Sequence, residues 1–507
     1  MNDLSAERTL LGRRRTKLFY GFGSVAYGVK DHGFTQLLLF YYNQVVGLPA
    51  RTVGTAILLV LFIDAFADPI VGQISDNLRT RWGRRHPFMY ASALPVAVSY
   101  YFLWTPPHWS QQALFFYLVG LAIVVRTFIT LYEIPSSALV PEMTENYDQR
   151  TSFLSYRYFF GVIGGAAMGF ATFRIFLRAD AAHPVGQLNP AGYPSYAIAA
   201  ALVMVASILI SARGTHRFIP LFRVPPARRP SLGQILKEMY ASLSHPSFMI
   251  LVSAAVFGTV AIGLGASLMI YFNTYFWGLS SKQIAIFQLV GLFSATLGPA
   301  LAGPLSKRFE KHRAVIAFFV CFILVTATPI SLRLLGFFPS NGSIFLVPIL
   351  FLERSVSGVL GIATLILFGS MMADVVDDSA VRTGRRSEGL FFAAMSFIAK
   401  FLSGAGTFLA TQLLFFAGFP EHARPDTIDP AVVRHLAYLY LPSLVLLYGT
   451  GMLLLSRYRI SRSQHENNLA KLSESEAFGP TASGIEAASA EKQVDYAAAK
   501  AASGLGG

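Results

Sequence analysis

The chain is a succession of long apolar runs, roughly 18–46, 51–75, 88–106, 112–140, 151–178, 195–212, 247–276, 282–304, 313–334, 343–372, 388–418 and 431–456. About 20 mostly apolar residues are needed for a helix to cross the hydrocarbon core, where every backbone polar group must find its partner within the segment. Twelve such runs predict an all-α integral membrane protein with twelve transmembrane helices. A closed β-barrel would instead need alternating segments of about ten residues, and these runs are too long and too continuously apolar. Runs beyond 25 residues imply helices that tilt or project past the lipid. Only 13% of the 507 residues are charged, against about 25% in a soluble domain.

Forty-one Lys and Arg against 27 Asp and Glu leave a net charge of +14. The excess follows topology. Segments 13–17, 79–85, 213–229, 307–313, 382–386 and 457–462 are dense in Arg or Lys, while the alternate connections hold few basic residues, among them Arg51, His108, Arg178, Lys282, Arg333 and Arg424. Basic loops stay on the cytoplasmic side, so both termini are expected in the cytoplasm, in a multi-pass protein of the inner or plasma membrane. The charge therefore does not point to nucleic acid. The single cysteine, Cys321, excludes an intrachain disulfide and a cysteine metal cluster. Arg13, Arg14 and Arg15 precede the first run without a short apolar core and cleavage site, and read as its basic anchor.

The Pro- and Arg-rich connection after the sixth run divides the chain. The expected organisation is a cytoplasmic N-terminus (1–17), a six-helix bundle (18–212), a cytoplasmic linker (213–246), a second six-helix bundle (247–456) and a disordered cytoplasmic tail (457–507). The halves echo each other: residues 72–85 end the second run and 303–313 end the eighth, each with a small residue followed by a basic turn. Parallel six-helix repeats suggest a secondary transporter of the major facilitator type, with substrate bound near the midplane between the halves.

Ionisable residues inside the runs are functional candidates. The first half contains Lys30, Asp31, Asp64, Asp68, Arg126, Glu133 and Arg157, and the second contains Glu353, Arg354 and Lys400. Asp64 and Asp68 lie four apart, on one helix face. Two ionised carboxylates that close persist in lipid only if a cation, a proton or a basic side chain shares the site. A monovalent cation is the favoured reading, with Na⁺ and H⁺ both open and an internal ion pair as the alternative. Glu353–Arg354 reads either as a self-compensating pair or as a ligand contact. Arg126 and Glu133, seven apart, could form an ion pair through an intermediate group. His32 stands alone beside Asp31 and reads as a packing or hydrogen-bonding residue, with proton coupling as the alternative. Gly161, Gly164, Gly165 and Gly169 stripe the fifth run, and Gly404 and Gly406 interrupt the eleventh; small residues let helices approach closely.

Several stretches together resemble the glycoside–pentoside–hexuronide:cation symporters, the group of the melibiose permease, over nearly all twelve runs. They are Lys30-Asp31 followed by FYYNQVVGL, Asp64-Ala-Phe-Ala-Asp68-Pro69 followed by RTRWGRRHP, Tyr132-Glu133-Ile-Pro135, Tyr156-Arg157, Met372-Ala-Asp374-Val-Val-Asp377, and Arg386-Ser-Glu388-Gly leading to Lys400. The resemblance implies the major facilitator fold and no resident cofactor beyond the coupling ion, Na⁺ or H⁺. It makes Asp64 and Asp68 the cation-site carboxylates, and the metal ligands if Na⁺ is the ion, with Asp31 joining the set. Lys400 becomes the group that couples the cation and substrate sites. Asp31, Glu133 and Arg157 become contacts to a polyol, and Lys30, Tyr132 and Arg126 are counted on the same substrate-facing side.

Two departures bear on the substrate. The span-four acid is Glu133 rather than aspartate, and Ser137 stands where the pattern has a tryptophan, removing an aromatic platform for a sugar ring. Arg126 and Arg354 lie outside the sugar-site pattern and favour an anionic ligand such as a hexuronide, because guanidinium matches carboxylate geometry. A lysolipid-carrying branch of the superfamily shares the D-x-x-x-D-P and Y-R elements and is the alternative. Asp76, Arg84 and Arg85, past the end of the second run, are gating candidates; plain topological anchoring is the competing reading. No phosphate-binding loop, H-E-x-x-H or nucleophile elbow is present, which argues against a pump or a membrane enzyme.

Overall fold

The computed structural model describes residues 13–144, 146–222, 246–383 and 388–477. Among these the chain is helical throughout, in an order that follows the apolar runs. Helix α1 comprises Arg14–Phe22 and Ser24–His32, continued by wide π turns at Gly33–Leu37 and Tyr41–Val45. Then come α2 (Ala50–Asn77), α3 (His86–Leu103), α4 (Gln111–Ser137), α5 (Tyr147–Ala171) and α6 (Gly192–His216). The second half contains α7 (Pro246–Tyr271), α8 (Val290–Arg308), α9 (Lys311–Leu334), α10 (Leu346–Thr383), α11 (Glu388–Phe416) and α12 (Pro430–Leu455). Nine of the described helices are long and apolar enough by themselves to cross a membrane. Helix α6 continues to His216, past the boundary at 212 expected from hydropathy; most of the linker, 223–245, lies outside the described residues.

The expected disordered tail needs correction. Residues Arg462–Ala477 form a further helix, α13, packed against α10. Its sequence lacks apolar periodicity because it docks through polar side chains rather than an apolar stripe. Gln464 Nε2 and Asn468 Nδ2 donate to Asp378 Oδ1 at 3.2 and 3.0 Å, and the Arg462 guanidinium donates to the Ser306 carbonyl at 2.8 Å. Residues 478–507 lie outside the described residues.

Glycine sets the tightest crossing. A Cβ on Gly28 of α1 would strike the Gly161 carbonyl of α5, and one on Gly164 would sit 2.8 Å from the Val25 Cα. The glycine stripe of α5 is thus the seat of α1. In α11, a Cβ on Gly406 would lie 2.8 Å from the Gly263 Cα of α7.

The repeat extends to how each half begins. α1 and α7 both finish in a π turn holding an asparagine (Asn43, Asn273), followed by a glycine at positive φ (Gly47, Gly278). These two ends meet, and they seal one face of the molecule. Tyr271 Oη donates to Asn43 Oδ1 at 2.9 Å. Gln44 Oε1 accepts from Tyr275 Oη and from the Ala423 backbone N–H, both at 2.9 Å, and Gln44 Nε2 donates to the Pro420 carbonyl at 3.0 Å. Arg51 to Gln412 (2.9 Å) and Gln187 to Thr274 (3.0 Å) complete the seal. All of these bonds lie opposite the basic loops. Between the halves, α2 packs on α11 and α5 on α8.

Candidate functional site

A cavity of about 1190 Å³ lies between the two halves. The first half lines it with Tyr27, Asp31, Glu133 and Arg157, and the second with Glu353, Arg354 and Tyr440 among mostly apolar neighbours. The Asp31 side chain is 48% exposed, next to the buried Lys30, whose Nζ lies 3.7 Å from it and 4.4 Å from the Tyr27 ring centre. Arg157 donates to Ser136 Oγ at 2.9 Å and lies 3.8 Å from the Glu133 carboxylate. Ser136 and Tyr20, which orient Arg157, carry no charge and escape a reading based on ionisable residues. Across the cavity, Arg354 donates to Asn273 Oδ1 at 2.5 Å and stacks 4.2 Å over Phe287, and its Nη1 is enclosed without an acceptor. Glu353 lies 3.9 Å away, so the adjacent pair is loose.

A second, smaller pocket of about 270 Å³ opens from the same wall, sharing Tyr27, Asp31, Thr35 and Glu133 with the first. It is lined also by Lys30, Asp64, Arg126, Thr130 and, from α11, Thr407. Asp64 is buried and bound by Arg126 Nη2 at 2.6 Å. Arg126 thus pairs across to α2, not along its own helix to Glu133, whose basic neighbour is Arg157. The Thr130 hydroxyl, one turn after Arg126, donates to Asp68 Oδ1 at 3.1 Å. Pro69 and Pro135 lack the N–H that would bond the carbonyls of Ala65 and Leu131, loosening α2 and α4 beside these acids. Tyr132 lines neither cavity; its hydroxyl points to Gly23 and Ser211, between α1 and α6. That corrects its expected place beside substrate: one residue from Glu133 is a turn of about 100° on a helix. His32 is buried edge-on to Phe173 and also lines the interhalf cavity. The side chain of Lys400 lies outside the described residues.

A family profile described as MFS/sugar transport protein matches residues 19–462. The chain belongs to the MFS/sugar transport family. It resembles the putative glycoside/cation symporter YagG of Escherichia coli, at 24% identity over 89% of this chain and 93% of that protein. It also resembles the mouse sphingosine-1-phosphate transporter MFSD2B, at 28% identity over 87% and 88%. The crystal structure of nucleoside transporter NupG superposes with a TM-score of 0.56 at 13% identity, covering 88% of this chain and all of that one, which establishes the fold. The protein is a multi-pass membrane transporter of symporter type with the major facilitator fold, and not an enzyme.

The gating candidates of this transporter converge on a residue outside the expected set. Glu142, buried just after α4, accepts from Arg84 at 2.8 Å and from Arg85 at 3.0 Å. Arg85 also pairs with Asp76 and donates to Ser75 Oγ at 2.6 Å. The cluster ties the α2–α3 turn to the end of α4 within the first half. The second half repeats the arrangement: Lys311, the first residue of α9, donates to Asp374 of α10 at 2.7 Å, and His465 of α13 approaches the same carboxylate at 3.4 Å. Glu142 was legible in principle, as the acid at the end of span four that two arginines at the end of span two require. Tyr458, beyond the last span, has its phenol held above the ordinary range by burial, then by Asp374 and Asp378.

Proposed function

We propose that this transporter is a cation-coupled symporter, driven by Na⁺ or H⁺, that moves a sugar, glycoside or hexuronide by alternating access in a cell membrane with both termini cytoplasmic. One observation carries the coupling: the pocket holding Asp64 and the interhalf cavity share Asp31 and Glu133 in a common wall. A charge change on one side is then felt by a ligand on the other, which is the physical requirement for linking two binding events. With the basic loops cytoplasmic, the sealed face is external and the conformation is inward-facing. Substrate would lie between Asp31, Glu133 and Arg157 of one half and Arg354 of the other. The two guanidiniums suit an acidic group on the substrate, as in a hexuronide.

A second reading is favoured by the largely apolar lining of the cavity: an amphiphilic anion with a lipid tail, the chemistry named for the mouse relative. Uptake into right-side-out vesicles separates the two. Glycosides, uronates and lysolipids are offered under an imposed Na⁺ or pH gradient. Accumulation of a uronate or glycoside above equilibrium under either gradient is the expected result, and Asp68→Asn should abolish it. Accumulation of lysolipid alone moves the assignment to the second reading. Equilibration without accumulation under both gradients removes the coupling.

A further inference from the structure

Each wall of the interhalf cavity carries a guanidinium, and the two differ in what already holds them. Arg157 of α5 donates to Ser136 Oγ at 2.9 Å and lies 3.4 Å from both Tyr20 Oη and the Glu133 carbonyl. The Glu133 carboxylate, 3.8 Å away, balances its charge. Arg354 of α10 is held by neutral groups. Its Nη2 donates to Asn273 Oδ1 at 2.5 Å, and the Phe287 ring centre lies 4.2 Å from its guanidinium. Its Nη1 is enclosed with no acceptor among the described residues. The adjacent acid, Glu353, accepts from Ser357 Oγ at 3.2 Å and lies 3.9 Å from Arg354 Nε, beyond hydrogen-bond reach. The amide of Asn273 therefore orients this guanidinium without cancelling its charge; an aspartate of the same shape would cancel it. An enclosed N–H without an acceptor is costly, and a guanidinium can grip a carboxylate or phosphate through two parallel bonds. The opposite wall has the other character. Asp31 and Glu133, with side chains 48% and 26% exposed, accept from hydroxyl groups and repel an acid.

We propose that Arg354 is the residue that recognises an acidic group on the substrate, a carboxylate or a phosphate, with Asn273 as its positioning residue, while Arg157 serves the hydroxyl-bearing end. This deepens the reading of the interhalf cavity as the substrate site and rests on it. The substrate is thereby oriented, with its acid toward the second half and its hydroxyl groups toward Asp31 and Glu133. The test compares ligands in matched pairs that differ only in the acid. Methyl glucuronide is set against methyl glucoside, and lysophosphatidate against monoacylglycerol. Affinities are read from the thermal stabilisation of the purified full-length transporter.

The wild type should bind the acidic member of at least one pair roughly 10- to 100-fold more tightly than its neutral partner, the range for hydrogen bonds to charged groups. The pair that responds tells a sugar acid from a lipid phosphate. Arg354→Gln should bind both members of that pair alike, and Arg354→Lys, which keeps the charge and loses the planar fork, should retain part of the preference. Asn273→Asp should abolish the preference with almost no change of shape, a result that a merely structural role for Asn273 would not give. Arg157→Lys should weaken both members by the same factor. A wild type that prefers the acid in neither pair overturns the proposal, as does a preference that survives in Arg354→Gln or is lost only in Arg157→Lys. If Arg354→Gln does not fold, Asn273→Asp decides, and an undiminished preference there overturns the proposal. Failure of the underlying symport reading has a different signature. Neither a Na⁺ nor a pH gradient then drives accumulation of any of the four ligands, whatever their order of binding.

Discussion

Gln44 gives the most direct test of the conformational cycle. Its side chain is buried and makes three hydrogen bonds to the opposite half, with Tyr275, Ala423 and Pro420. Leucine in its place keeps the volume and removes all three. A typical intramolecular hydrogen bond contributes about 0.5–1.5 kcal/mol net, so Gln44→Leu should weaken the sealed face by about 1.5–4.5 kcal/mol. The Tyr275 hydroxyl, the Ala423 N–H and the Pro420 carbonyl lose their partner only while the face is shut. On opening they are hydrated, and the loss therefore acts on one state alone. At 1.4 kcal/mol per factor of ten, the open form of this face should gain roughly 10- to 1,000-fold in population. The assay is thiol labelling of Thr35→Cys, which lines both cavities, in a Cys321→Ser background. A membrane-impermeant maleimide applied from the face opposite the basic loops should label the parent slowly and the Gln44→Leu variant at least tenfold faster. Equal rates from that face in a folded variant would refute the assignment of this contact as the seal.

Three other outcomes follow from the same geometry. Glu142→Gln leaves Arg84 and Arg85 near a neutral acceptor; breaking a buried charged network costs about 3–5 kcal/mol, so the detergent-solubilised protein should lose most of its thermal stability, while Arg84→Lys retains part of it, both read by the unfolding midpoint. Truncation after Ser461 removes α13 and its bonds to Asp378, and should lower the midpoint and speed proteolysis at the basic-loop end of α10; an unchanged midpoint would mean that α13 does not brace α10. Gly28→Val must drive a Cβ into the Gly161 carbonyl, a backbone atom that cannot swing aside, and should abolish folded, monodisperse protein where Gly120→Val, with open space around it, does not.

The membrane character and the helical class were legible in the sequence because each is a local property. A run of apolar residues partitions into lipid whatever lies beside it, and basic loops select a side without reference to tertiary contacts. The acids of the site were legible for a related reason: an ionisable group in such a run is costly wherever it ends up, so Asp31, Asp64, Asp68 and Glu133 stood out. Their partners did not, since pairing depends on which helices become neighbours. Arg126 lies seven residues from Glu133 but is bound to Asp64, 62 positions away, because α4 packs along α2. Nothing at Glu142 itself points to a partner, and two arginines from another segment close on it. Tyr132 is one residue from Glu133, and helix rotation alone sends it elsewhere. The helix after Tyr458 has no apolar stripe to betray it, and only the buried acidic end of α10, with Asp378 held by Gln464 and Asn468, gives it a place to dock. Sequence determines which groups must be compensated; the packing of helices decides what compensates them, because a side chain a few ångströms long can pair only with what the fold brings within reach.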